Sequence, residues 1–185
     1  MVANRATMPT PGNPASDYPL TLAVAYRRWH GWRDAVYGRL HPSRRKRLLA
    51  NARRGLKFAG KMVYDDKDAR RSELFHRKPG RFAGAHADCS QYVSSCAHWS
   101  GVRSVTDTDW TGTLATKGKP VEQPVPGCIV LFGDPPYVHT GVMDEGRRVI
   151  GFGTPDGPDV SNLATLIAYF AGTGHPGHAF RDLTR

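Results

Sequence analysis

Apolar side chains recur along this chain in two successive rhythms, a helical one first and an alternating one later. In residues 20–40, Leu22, Tyr26, Trp29, Val36 and Leu40 are spaced by three, four or seven, which gathers them on one helical face. His41-Pro42-Ser43 breaks that helix, because proline disfavours helical backbone at the residue before it and Ser43 can cap a new start. A second helix is expected to run to about residue 61, with Leu48, Ala52, Leu56 and Ala59 inward and the cationic side chains outward. Residues 64–84 lose the rhythm and turn polar and charged, with Pro79-Gly80 marking a turn, so a surface loop is expected there. A third helix is expected over 87–99.

From residue 124 the period changes. Pro124, Pro126 and Gly127 announce a turn, and Cys128-Ile129-Val130-Leu131-Phe132 is a short apolar run typical of a buried strand. Strands are expected over 138–143 and 147–152, joined through Asp144-Glu145-Gly146 as a hairpin turn. A short helix over 163–170 and a last strand over 178–183 follow. Helices first and consecutive strands later describe an α+β fold with an antiparallel sheet. The 185 residues suffice for one domain with its own core. Residues 1–19, with four prolines and few large apolar side chains, are expected to form a flexible arm. Residues 20–47 form a basic helical extension, and 48–185 the main domain.

Charge changes this picture. Residues 1–61 hold thirteen Lys/Arg against two acidic residues, a net charge of +11, whereas residues 62–185 carry −1. The basic third is therefore a candidate for a polyanion, with Arg44, Arg45, Lys46, Arg47, Arg53 and Arg54 on one helical face. An anionic wall polymer, an anionic lipid surface or phosphate bound without sequence preference would each suit it, and no specific nucleic acid is expected. No run of about 18 apolar residues crosses a membrane. Residues 1–20 lack the apolar stretch of a secretory signal, and three cysteines build no disulfide framework, so synthesis in a reducing cytoplasm is expected.

The candidate chemistry centres on Asp88-Cys89-Ser90-Gln91. Cys89 falls at the start of a predicted helix, where unpaired amides and the helix dipole favour a thiolate. A thiolate nucleophile needs a base, and His139 stands in the apolar strand Tyr137-Val138-His139-Thr140-Gly141-Val142-Met143. Cys96, two helical turns beyond Cys89 and about 10 Å away, and Cys128 on its strand read as core. The spacing of His86, Cys89, Cys96 and His98 matches no common zinc finger, so no metal is expected, and His175 and His178 read as a solvated loop.

The order Asp-Cys-Ser at a helix start, Pro-Gly before an apolar strand, His-Thr-Gly-Val-Met, and then a hairpin resembles the NlpC/P60 family of papain-like cell-wall peptidases. That family commonly reads Asp-Cys-Ser-Gly, then Pro-Gly-Asp-Leu-Val-Phe-Phe, then His-Val-Gly-Ile-Tyr. The resemblance extends from about Leu48 to Arg185 and includes Tyr64 and the ending Gly118-Lys119-Pro120-Val121. It departs at Gln91, which replaces a glycine, at Cys128, which replaces an aspartate, and at Asp65-Asp66-Lys67, which replace Trp-Gly-Gly. The third polar residue expected about twelve positions after the histidine falls on Gly151.

The resemblance implies a papain-like fold in which the helix carrying the nucleophile packs on the sheet, after an N-terminal helical extension. It implies Cys89 as nucleophile and His139 as base. Ser90 would help bind the carbonyl oxygen, and Tyr64 would meet the substrate. The orienting place is left to water, Thr154 or Asp156, and Asp156 matches the seventeen-residue spacing of the related CHAP amidases. The implied substrate is the peptidoglycan stem peptide, cut at the γ-D-glutamyl bond to diaminopimelate or lysine without a cofactor. A phage endolysin released by a holin fits the basic charge and size. A CHAP-like muramoyl-alanine amidase, an antibacterial effector and an inactive basic polyanion-binding protein are the alternatives.

Overall fold

The computed structural model describes residues 43–67 and 70–185, and its first helix begins where the Ser43 hydroxyl accepts the Lys46 amide. The arm expected over 1–19 and the helix expected over 20–40 lie outside the described residues. Helix α1, Arg44–Gly55, runs through position 47, so the boundary expected between 47 and 48 falls inside one continuous helix. It also ends short of residue 61. The Tyr92 ring occupies the space where a side chain at Gly55 would stand, and its hydroxyl donates to the Ala52 carbonyl at 2.7 Å. A single 3-10 turn, Leu56–Phe58, continues the chain. Leu48 and Ala52 are buried, but Leu56 is half-buried and Ala59 exposed, because the helix has ended before them.

The stretch expected as a surface loop is instead tied into the core. Strand β1, Val63–Tyr64, pairs in parallel with β2, His86–Ala87. Between them Leu74 and Phe82 are fully buried, and Phe82 stacks on Phe58 at 5.3 Å and meets the Trp99 edge at 5.2 Å. Each such side chain contributes about 1.5–3 kcal/mol when fully buried, enough to fix a polar segment that has no helical or alternating rhythm.

Helix α2, Cys89–His98, starts at Asp88, whose carboxylate accepts the Gln91 amide at 2.7 Å. The short α3, Thr111–Leu114, and β3, Lys119–Val121, follow. The remaining elements are β4 (Ile129–Phe132), β5 (His139–Met143), β6 (Arg148–Gly151), β7 (Asp159–Asn162), α4 (Leu163–Gly172) and β8 (His178–Asp182). They form an antiparallel sheet in the order β3-β8-β4-β5-β6-β7. The expected hairpin turn after β5 is made by a 3-10 turn, Glu145–Arg147.

Alternation in the strands divides the core between two faces. Ile129, Leu131, Val142 and Ile150 join Tyr92, Val93 and Cys96 of α2 together with Leu48 and Ala52 of α1. Val130, Phe132, Met143 and Val149 lie in a second cluster with Leu163, Leu166, Ile167 and Phe170 of α4. The fold is thus α+β and papain-like, with the helix that starts at Cys89 packed on an antiparallel sheet. Strand β7 was not anticipated; it is short, polar and at the edge of the sheet.

Candidate active site

Cys89 is the first residue of α2, where backbone amides have no partner inside the helix. Its side chain is buried, with 6% of the residue exposed. The Thr140 amide lowers the thiol from nearby, which relates the start of α2 to strand β5 at the residue next to His139. Burial first, and the neighbouring Asp88 charge second, push the thiol up to about 12 against the pull of the surrounding amides. The thiolate expected from the helix start is therefore not the resting form.

His139 faces Phe132 across the β4–β5 pair and is enclosed by rings. Its ring stacks on Phe132 at 6.1 Å and on Phe170 of α4 at 5.5 Å, and those two rings stack on each other at 5.0 Å. This burial pushes the imidazole down to about 4. Near neutral pH the site consequently holds a thiol and a neutral imidazole. Gly153 makes room for the ring, since a Cβ there would stand 3.0 Å from its Cε1. The role of Phe170 carries no sequence signal, because it depends on how α4 lies over the sheet.

A cavity of about 480 Å³ opens beside His139, lined among others by Tyr64, Gly151, Asp159, Tyr169 and His175. His175, expected to be solvated loop, is exposed and lies on this wall. Tyr64 links the cavity to the thiol. Its phenol is pushed up to about 12 by burial first and then by the charges of Cys89 and Asp88. Cys89 itself does not line the cavity.

Two expected residues lie elsewhere. Ser90 is buried, and its hydroxyl donates to the Asp88 carboxylate at 2.7 Å with the Asp109 carbonyl at 3.2 Å. It supports the cap of α2. Asp156 is exposed and does not line the His139 cavity, while its backbone carbonyl accepts the Gly60 amide. Thr154 does line the cavity, as does Asp159, which the sequence spacing did not single out.

Three of the six cations expected along α1 reach partners elsewhere in the domain. Arg45 meets the buried Asp182 at 3.4 Å, Arg47 donates to the Ser100 carbonyl at 2.9 Å, and Arg53 pairs with the buried Asp144 at 3.0 Å. Burial pushes the Asp144 carboxyl up, but the Arg53 hydrogen bonds, the Glu145 amide and the Arg53 and Arg148 charges together hold it below the ordinary value. These three arginines fasten α1 to the domain. Lys46, Arg54 and Lys57 line a second cavity of about 720 Å³ with Arg45 and Arg53. No group of acidic, histidine or cysteine side chains suited to a metal occurs among the described residues.

No family model matches the chain, and no curated protein matches it. Solved structures do. The P60 domain of antigen MAP1204 from M. avium subspecies paratuberculosis superposes with a TM-score of 0.50 at 13% identity, covering 76% of this chain and 98% of that one. RipA, a Resuscitation Promoting Factor Interacting protein, gives a TM-score of 0.50 at 16% identity over 79% of this chain and 64% of that one, so the chain spans about two thirds of that structure. The NlpC/p60 domain of the peptidoglycan hydrolase SagA gives 0.48 at 18% identity, with 75% and 98% covered. At such identities the likeness is one of fold, and the fold is that of NlpC/P60 domains.

Proposed function

We propose that this chain is a cysteine peptidase of the bacterial cell wall that cuts an amide bond of the peptidoglycan stem peptide, with the γ-D-glutamyl bond to diaminopimelate or lysine as its target. The observation that carries the reading is the junction of α2 and β5. A buried thiol at a helix start lies under the influence of the amide next to His139, and His139 and Tyr64 open onto one cavity. The motif resemblance from Asp88 to Met143 supports the choice of wall peptide, and the shared fold agrees with it.

Because neither group is charged at rest, His139 takes the Cys89 proton as the sulfur adds to the carbonyl carbon. The carbon–nitrogen bond then breaks as the imidazolium returns the proton to the leaving amine. Water hydrolyses the thioester and restores the thiol. The amide of Cys89, first in α2, would donate to the developing oxyanion.

The cations along α1 fit attachment to an anionic wall polymer or lipid surface, and the proposed setting is the wall reached after release from the cytoplasm, as for a phage endolysin. The same cationic cavity favours a second reading, an inactive polyanion-binding protein. Mass analysis of digested peptidoglycan separates the readings. New fragments ending in glutamate support the endopeptidase, freed lactyl groups indicate an amidase, and unchanged walls that retain the protein support the binder.

A further inference from the structure

Strand β7 brings a carboxylate to a side of the His139 ring that no side chain fills. In the sheet register Asp159 is the partner of Gly151. A Cβ at position 151 would stand 3.4 Å from His139 Nε2 and 3.9 Å from Asp159 Oδ1, so both atoms lie within 4 Å of one point that glycine leaves open. Among the described residues neither the imidazole nitrogens nor this carboxylate has a side-chain hydrogen bond or ion pair. Asp159 supplies the carboxylate among the residues lining the cavity, and the other titratable groups there are Tyr64, Tyr169 and His175. Cys89 approaches from α2, at the amide that follows His139.

A base held between aromatic rings needs a partner twice during a proton relay. The partner selects which nitrogen carries the proton, and it stabilises the cation once the second proton arrives. We infer that Asp159 is the positioning residue for His139: across the empty position 151 its carboxylate accepts Nε2–H through one water and leaves the other ring nitrogen to exchange the proton with Cys89. The role arises on the neighbouring strand, three residues beyond Asp156, because position 151 has no side chain of its own. Its catalytic consequence rests on the hydrolase reading, but the contact does not.

The test uses the full chain with isotope-labelled histidine. The His139 resonance, assigned by its loss in His139→Ala, is titrated in the wild type and in Asp159→Asn. Removing the carboxylate is expected to lower the His139 midpoint by about one unit, and an unchanged midpoint overturns the contact. On a stem peptide, kcat of Asp159→Asn should fall roughly 10- to 100-fold with KM nearly unchanged. Adding Gly151→Asn to Asp159→Ala, which puts a polar side chain beside Nε2, should restore about tenfold. A raised KM with unchanged kcat would overturn the role and make Asp159 a receptor for a cationic substrate group. If the wild type cuts no wall fragment, the hydrolase reading fails, and the titration still decides whether Asp159 and His139 meet.

Discussion

His139 and the cations of α1 each line a cavity, but the first is kept neutral by the rings around it, whereas the others keep their charge at the surface. Phe132 and Phe170 stack on the imidazole, and no cation or anion in direct contact compensates. Arg45, Lys46, Arg53 and Arg54 of α1 and Lys57 of the following turn line the second cavity together with Glu145. Burial makes the first region respond to pH, because it separates folded from unfolded protonation. Exposure makes the second respond to salt, since charges there are screened over about 8 Å at physiological ionic strength. A run of arginines in a sequence suggests one patch, yet in the fold Arg45, Arg47 and Arg53 serve as anchors.

Removing the chemistry from the first region while leaving charge in the second gives the largest contrast. Cys89→Ala is expected to lower wall hydrolysis by at least about 1000-fold, with retention on walls and the thermal melt nearly unchanged. Comparable hydrolysis in the variant would end the thiol mechanism. Binding and cleavage measured on the same wall preparation keep the two regions apart.

The next contrast is in stability. The folded His139 midpoint of about 4 lies below its ordinary value of 6.5, so the unfolded chain binds the extra proton first. Stability is full above about pH 6.5 and falls as the pH drops toward 4, by on the order of 3 kcal/mol at about 1.4 kcal/mol per unit. His139→Phe, which can keep the stack, should flatten the denaturation midpoint across this window. The carboxyls held low, Glu73 and Asp144 among them, have ordinary values of 4.5 and 3.8 and so add their loss of stability only at the acid end of this window and below it. An equally steep decline in His139→Phe would place the sensitivity elsewhere.

Single charge reversals along α1 give the smallest effects and sharpen the division within the second region. Arg53→Glu should destabilise the fold by about 1–3 kcal/mol, because it leaves the buried Asp144 without its main partner. Arg54→Glu should change stability by less than about 0.5 kcal/mol and lower only salt-sensitive retention on walls. Equal melts for the two variants would remove the distinction between anchor and surface charge.

Legibility followed locality. Ser43 and Asp88 cap helices from within four residues of the amides they take, and the alternation of Ile129 to Phe132 belongs to one strand, so the sequence exposes both. Leu74 and Phe82 are single apolar residues in a polar stretch, and no periodicity marks them as core. The hydroxyl of Ser90 bonds Asp88 two residues away, a local choice that the sequence leaves open. Asp156 and Asp159 are both acids near the expected spacing. Only the pairing of β6 with β7 tells which one faces Gly151, and that register is set by long-range contacts.

Strand β7 also closes one margin of the sheet, with an open row of backbone groups on its far side among the described residues. Such margins invite a second molecule to pair, and proteins discourage this with short strands and charged side chains. β7 has four residues, begins with Asp159, and exposes Val160 at 42%. A charged first residue in so short an edge strand is a pattern that discourages such pairing. In a chain that gives Asp159 up, solubility at high concentration is expected to fall, which makes it as informative as turnover.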